Sequence, residues 1–561
     1  METNKKVTEI PRGRIGEMLI KAGHFTKEQL ELALKEQKRT GELLGEVLQN
    51  LGFVTEGTIS AVLATQAGVR QVDLKNYLIE PEVLTLVPET IARRYKLIPL
   101  FMENNHLTIA MANTFDVIAL DEIQRMVNTQ IEALSAPESE IISAIEEHYG
   151  MEGDASEILE EIIRLAESGS VKEEDLAKRS PVIRLVDQII IKGVKDGATD
   201  IHLEPEEKTL RVRYRLDGVL QSGPSIPKSL QAPTVVRIKI MSGLNISENR
   251  LPQDGKIRFF VGKKKIDLRV STFPTVFGEN VVLRILDKGR LIQGLDKLGF
   301  TEENLDIFKK LLKKPYGIVL VTGPTGSGKT TTLYSALSHI NNLEMNIITL
   351  EDPVEYELPL IRQSQINPKA GLTFASGLRS ILRQDPDVIL VGEMRDAETA
   401  EMAIRSALTG HLVFSTLHTN DSVGALPRLR DMGIEPFLIS SCLLGIVAQR
   451  LIRLVCTHCK EPCELEQDVL EQLNISHNEH TFYHGKGCKE CNYTGYKGRI
   501  AVFEVLVMSS KIKKLIVERA ESNLVQKVSC EEGMMTLFQD AFRRALQGVT
   551  TIEEVLRVTY G

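Results

Sequence analysis

Residues 317–340 read GIVLVTGPTGSGKTTTLYSALSHI. An unbroken apolar run, 317–321, stops at a glycine-rich loop, and the loop opens into a stretch of helical composition. The loop, Gly323-Pro324-Thr325-Gly326-Ser327-Gly328-Lys329-Thr330, fits the G-x4-G-K-[ST] template at every fixed position. Backbone N–H groups of such a loop, aided by the helix N-terminus, cradle a phosphate. Lys329 then reaches the β/γ-phosphates and the Thr330 hydroxyl ligates Mg²⁺, with Thr331 completing the ATP-binding stretch. A chance glycine-rich turn would lack the buried strand before it and the helix after it. From Leu298 onward strand and helix alternate, which is the pattern of a parallel α/β sheet.

Two acidic stations follow on later apolar strands. NIITLEDPVEY (346–356) ends in Glu351, Asp352 and Glu355, and DVILVGEMRD (387–396) carries Glu393. Carboxylates just past strand C-termini sit at the ligand crevice of a doubly wound sheet. One can orient the Mg²⁺ shell and another can polarise the attacking water. GHLVFSTLHT (410–419) places His411 and His418 at the two ends of a third apolar strand, either as structural groups or as γ-phosphate sensors.

Cys456-x-x-Cys459 and Cys488-x-x-Cys491 form two knuckles. Four thiolates suit a closed tetrahedral Zn²⁺ site with no open position, so the expected role is structural. Little apolar content lies between the knuckles, and metal would supply the insert's folding energy. Cys463 is a spare.

Upstream, residues 14–37 and 43–66 repeat one another. Gly16/Gly45, Leu19/Leu48, Gly23/Gly52, Leu30/Ile59, Leu34/Leu63 and Gln37/Gln66 superimpose at one fixed offset. Each copy predicts a short helix, a turn and a second amphipathic helix capped by Thr26 or Thr55. The expected organisation is a tandem-repeat helical domain (1–69), an α+β subdomain (70–150), a linker (151–179) and a second α+β domain (180–288). A phosphate-loop α/β domain follows (297–561), with a zinc insert at 455–498. In the 180–288 stretch a helix precedes the strands DIHLEP, LRVRYRLDG, KIRFFVG, KKIDLRVSTFP and NVVLRIL. Arg211, Arg213, Arg215, Arg269 and Arg284 alternate with apolar residues there.

Composition narrows the classes. The chain has 561 residues, 42% hydrophobic and 26% charged, with a formal charge of -8 and no Trp. A nucleic-acid channel needs a basic, aromatic-bearing surface, so no nucleic-acid polymer is expected as partner. The N-terminus lacks the apolar core of a signal peptide, and no apolar run reaches the ~18 residues of a membrane span. Both point to the cytoplasm. A non-enzymatic nucleotide sensor would show a degraded loop or missing acids, and neither occurs here.

Taken together, GPTGSGKTTTLY, LEDPVEY, LRQDPDVILVGEMRDAETA and TGHLVFSTLHTNDS resemble the Walker A, Asp, Walker B and His boxes of the type II/type IV secretion ATPases. The likeness is greatest to the type IV pilus extension branch. It implies a RecA-like α/β P-loop domain with a zinc-binding insert, preceded by a small α+β (PAS-like) domain and a helical/α+β N-terminal region. It makes Glu355 the catalytic glutamate, Glu393 the Walker B acid acting on Mg²⁺, and His411 and His418 the His-box pair. Arg269 and Arg284 become arginines supplied to a bound nucleotide, worth roughly 10³–10⁵ in kcat where such a group acts. The implied assembly is a homo-hexamer at the cytoplasmic face of the inner membrane. Its partners would be a polytopic platform protein and other cytoplasmic pilus components. The alternative within the class is a type II secretion motor; the retraction branch lacks the N-terminal region and the four cysteines.

The repeat is similar to the tandem motif of a cyclic-di-GMP-binding domain found on such ATPases. By that likeness Arg12, Arg14, Ile15, Gly16, Gln37, Leu44, Gly45, Gln66 and Asp116 would touch the ligand, with guanine stacked on Arg14. The second copy departs from the motif at Leu43, where the first has arginine, and residues 113–114 read Asn-Thr in place of Asp-Pro.

Overall fold

In the computed structural model, residues 26–41, 44–54, 69–149, 180–287, 294–465 and 481–559 are described, together with single positions in the first repeat helices. The chain divides into two units, Met1–Asp287 and Lys288–Gly561.

In the first unit, helix Lys27–Thr40 starts where the sequence places it. Thr26 Oγ1 accepts from Gln29 N and the Gln29 side chain closes the capping box. The equivalent pair Leu19 and Leu48 is fully buried in one small core. The Thr55 cap lies outside the described residues. The α+β part builds a three-stranded sheet from Leu97–Glu103, His106–Met111 and Gln130–Ser135, covered by helices Val117–Val127 and Glu138–Tyr149.

The next stretch opens with helix Ser180–Asp196 and forms an antiparallel sheet in the order 253–261, 264–275, 278–287, 200–205, 209–216, 219–227. Every strand anticipated from alternation is present. Strand Val219–Pro227 and helix Gln231–Met241 add to the expectation. The α+β part and this sheet are not separate layers. Tyr77–Leu78 pairs in parallel with 260–261 and extends the sheet to seven strands. Tyr77 stacks on Phe101 and Phe260, and its hydroxyl donates to Gly262 O at 2.8 Å.

The second unit is built on a seven-stranded sheet in the order 362–365, 347–351, 388–391, 412–417, 317–322, 443–455, 496–507. All neighbours are parallel except the last pair. The central strands 317–322, 388–391 and 412–417 are buried on both faces, which is why they read as continuous apolar runs. Four helices, 510–517, 522–531, 537–546 and 552–559, close the C-terminal end.

Candidate functional site

Strand Gly317–Thr322 delivers the loop to the sheet's C-terminal edge, and helix Lys329–Ile340 leaves it. Two glycines are sterically required. At Gly323 (φ 151°) a Cβ would stand 2.5 Å from Gln449 O, and at Gly328 (φ 89°) 2.7 Å from Gln449 Nε2. The loop therefore closes tightly against strand Leu443–Val455, and Thr332 Oγ1 donates to Gln449 Oε1 at 2.7 Å. Lys329 Nζ bends onto the loop's own carbonyls, Gly323 O at 2.7 Å and Pro324 O at 3.0 Å. Burial pushes Lys329 down to about 8, against the pull of Glu393, and Arg450 adds to the depression. Ser327 Oγ is buried with no hydrogen-bond partner among the described residues. A cradle of loop N–H groups, an orphaned hydroxyl and a folded-back lysine together fit a polyphosphate.

The acids converge on this loop. Glu393, past strand Val388–Val391, pairs with Arg395 at 2.7 Å, and its other oxygen lies 3.6 Å from His418 Nε2. Burial, and then the Lys329 charge, hold His418 below the usual imidazole value, while Glu393 pulls the other way. His418 is thus a neutral imidazole at neutral pH, able to donate and accept. Glu351 and Glu355 divide into different roles. Glu351 is buried and accepts from Tyr334 Oη (2.5 Å), Thr349 Oγ1 (2.5 Å) and Gln363 Nε2 (3.2 Å). The same Tyr334 hydroxyl receives Glu355 N–H at 3.3 Å. Tyr334 stands on the P-loop helix, so the Glu351–Tyr334 pair fixes the loop that carries Asp352 and Glu355.

The structure brings Lys329, Glu393 and His418 together, but not His411. Strand Leu412–Leu417 runs alongside 317–322 in register, leaving His411 at its far end, roughly 20 Å from the P-loop edge. There Nδ1 donates to Ser406 O at 2.8 Å and closes the end of helix Ala397–Leu408. Within one chain the two histidines do not form a pair at one site.

Several residues that motif reading missed complete the site. Thr322 and Thr419 hydroxyls meet at 2.5 Å, and Thr419 N donates to Thr322 Oγ1 at 3.0 Å. Arg450 donates to Asn420 O at 2.8 Å. Buried Glu504 accepts from Ser422 N (2.9 Å) and Leu537 N (3.2 Å), joining that loop to the C-terminal helices. The run AQRLIRLV has no period-two alternation, so it carried no signal for Gln449 and Arg450.

The four knuckle cysteines form one cluster. Cys456–Cys488, Cys459–Cys491 and Cys488–Cys491 Sγ atoms are each 3.8 Å apart. A tetrahedron with Zn–S of about 2.3 Å has S···S edges of about 3.8 Å, so these residues fit Zn²⁺. Gly495 N and Cys488 N donate to Cys491 Sγ; burial opposes them, yet the thiol is brought down to about 6. Cys463 stands apart on strand Lys460–Cys463.

In the first unit, Arg269 and Arg284 face each other on adjacent strands, and Lys256 is next in the row. Arg284 pairs with Asp200 at 3.0 Å. Asp116 caps helix Val117–Val127 by accepting from Ala119 N. Gly16 backs onto Leu30, where a Cβ would be 2.6 Å away, and Gln37 and Leu44 lie on helices. Gly45 is on the Leu44–Asn50 helix, while Arg12, Arg14, Ile15 and Gln66 lie outside the described residues. No helix among the described residues is long and apolar enough to cross a membrane.

Residues 175–557 match the family described as type II/IV secretion system protein, and residues 67–155 match the MshEN domain, beginning just after the tandem repeat. The chain is 42% identical over 556 residues to the type IV pilus assembly ATPase PilB of Myxococcus xanthus, covering 97% of this chain and 98% of that protein. It is also 42% identical over 561 residues to the type II secretion system protein E of Xanthomonas campestris, covering 97% and 98%. The Legionella pneumophila ATPase DotB matches in structure with a TM-score of 0.51 at 22% identity, over 67% of this chain and 95% of that one, which speaks to the fold. The intact P-loop site and these matches give one conclusion: the chain is an ATP-hydrolysing member of the type II/IV secretion system protein family.

Proposed function

We propose that this ATPase drives type IV pilus assembly. The observation carrying the reading is the end-to-end likeness to the M. xanthus pilus assembly ATPase, with the phosphate loop, acids and His418 gathered at one sheet edge. In the reaction Lys329 leaves the loop carbonyls for the β/γ-phosphates, and Glu355 takes the proton of the attacking water. Thr330 and Glu393 would hold Mg²⁺, which supplies positive charge to the transferring phosphoryl group. His418, joined to Glu393, senses the γ-phosphate. Arg269 and Arg284 are the arginines offered to a nucleotide. His411 acts away from the chemistry of its own chain, as a coupler to a neighbour.

The working assembly is a homo-hexamer, peripheral at the cytoplasmic face of the inner membrane. It acts on a polytopic platform protein alongside other cytoplasmic pilus components. Zn²⁺ on Cys456, Cys459, Cys488 and Cys491 is structural. Cyclic-di-GMP is a regulatory ligand of the N-terminal region, for which the MshEN match gives support. The equal identity of the X. campestris protein favours a second reading, a type II secretion motor with the same chemistry.

The test is Lys329→Ala at the chromosomal locus. Loss of surface pili with secretion intact is the expected outcome. Normal piliation with secreted enzymes trapped in the periplasm would transfer the assignment to type II secretion.

A further inference from the structure

Glu355 lies on a loop between strands Ile347–Glu351 and Arg362–Gln365. A reacting group on a loop is less precisely held than one on a helix or strand, unless its surroundings fix it. Tyr334 supplies such a hold from the helix that also carries Lys329 and Thr330. Its ring is 1% exposed and packs edge-on against Tyr356, with 6.2 Å between centroids. The single hydroxyl proton goes to Glu351 Oε2 at 2.5 Å. Burial, and then Glu351 itself, push the phenol up, so that proton stays in place. The hydroxyl oxygen is thereby left as an acceptor, and it receives Glu355 N–H at 3.3 Å and Gln363 Nε2 at 3.4 Å.

Gln363, half-buried on the edge strand of the sheet, completes the clamp. Its Oε1 accepts from Leu358 N at 2.6 Å, which fixes the orientation of the amide. Its Nε2 donates to Tyr356 O at 2.7 Å and to Glu351 Oε1 at 3.2 Å. The loop is thus tied at Glu351, Glu355, Tyr356 and Leu358, and every tie returns to Tyr334 or Gln363. With its proton and lone pairs engaged in this way, the Tyr334 hydroxyl has nothing left for a nucleotide. Its effect on the reaction passes through Glu355.

We propose that Tyr334, backed by Gln363, is the positioning residue of the hydrolytic step. It ties Glu355 to the helix that bears Lys329 and Thr330, so that the base and the phosphate loop keep one spacing. The proposal rests on the reading of Glu355 as the base. Spacing matters because a misplacement of about 1 Å costs on the order of 10² in rate.

The experiment is a double-mutant cycle of Tyr334→Phe with Glu355→Gln in the full chain, read by steady-state and single-turnover hydrolysis of MgATP. Tyr334→Phe removes one oxygen and keeps the ring in the core. It lowers kcat roughly ten-fold and leaves KM for ATP within about two-fold, because the phosphate loop keeps its own contacts. Beside Glu355→Gln the same change leaves the residual rate unaltered, since no base remains to be positioned. A merely structural role would move the rate equally in both backgrounds. Gln363→Met, outside the core, repeats the test with a loss of about three-fold in kcat, KM unchanged, again absent beside Glu355→Gln. Normal kcat in Tyr334→Phe, a loss carried by KM, or equal losses in both backgrounds would overturn the proposal. Normal hydrolysis by Glu355→Gln alone would instead remove Glu355 from the reaction, and this role with it.

Discussion

His148 and Asp187 stand at one junction, and burial acts on them in opposite senses. His148 is held near 4 when folded against an ordinary 6.5, so the unfolded chain takes the proton first. Stability from that group is full above 6.5 and is lost as pH falls through it. Asp187, near 7 against 3.8, is the reverse: the folded chain protonates first, and stability is gained as pH falls through 7. Each amounts to about 2 kcal/mol between pH 7 and 5. The charged groups facing them are Glu147 and Arg237 and, for His148, Arg184. Hydrogen exchange of helix Ser180–Asp196 should therefore be nearly flat from pH 7 to 5. Asp187→Asn should lose protection on acidification and His148→Gln should gain it. Parallel pH profiles for the two variants would contradict this assignment.

The long hairpin formed by Leu443–Val455 and Tyr496–Val507 links the metal cluster to the nucleotide loop. Gln449 closes on Gly323 and Gly328 midway along the first strand, and Cys456 follows its last residue. Gly485 and Gly495 cross so closely that a Cβ on Gly485 would lie 2.0 Å from a backbone oxygen. The four thiolates flank that crossing, and on the proposed reading Zn²⁺ clamps it. Removing metal with a strong chelator, or replacing Cys459 by Ser, should lower the motor domain's Tm by roughly 5–10 °C, as a few kcal/mol would at this size. ATP turnover should fall as the 443–455 strand loosens. The measurement is a thermal melt with metal analysis, and an unchanged Tm in metal-free protein would rule out the structural role.

At the scale of the molecule, Tyr77 joins what the sequence presents as two domains. It is buried at 7% exposure, stacks on rings from both parts and donates across the joint. Tyr77→Ala should cost about 3 kcal/mol or more. Protection should fall together in strands Leu97–Glu103 and Gln253–Val261, as measured by hydrogen exchange. A loss confined to one of them would show two independent folding units. The phosphate loop, the cysteine knuckles, the Thr26 cap and the alternating strands of 200–286 were all legible in the sequence. Each rests on spacing between near neighbours, and sterics, hydrogen bonding or metal geometry dictates that spacing locally. Tertiary structure alone decided that Glu351 is a buried brace on Tyr334 and that Gln449 walls the P-loop. It alone placed Tyr77 in a neighbouring sheet and buried Asp187. These depend on pairings between residues far apart in the chain, where packing and desolvation choose the partner and one-dimensional spacing carries no record of that choice.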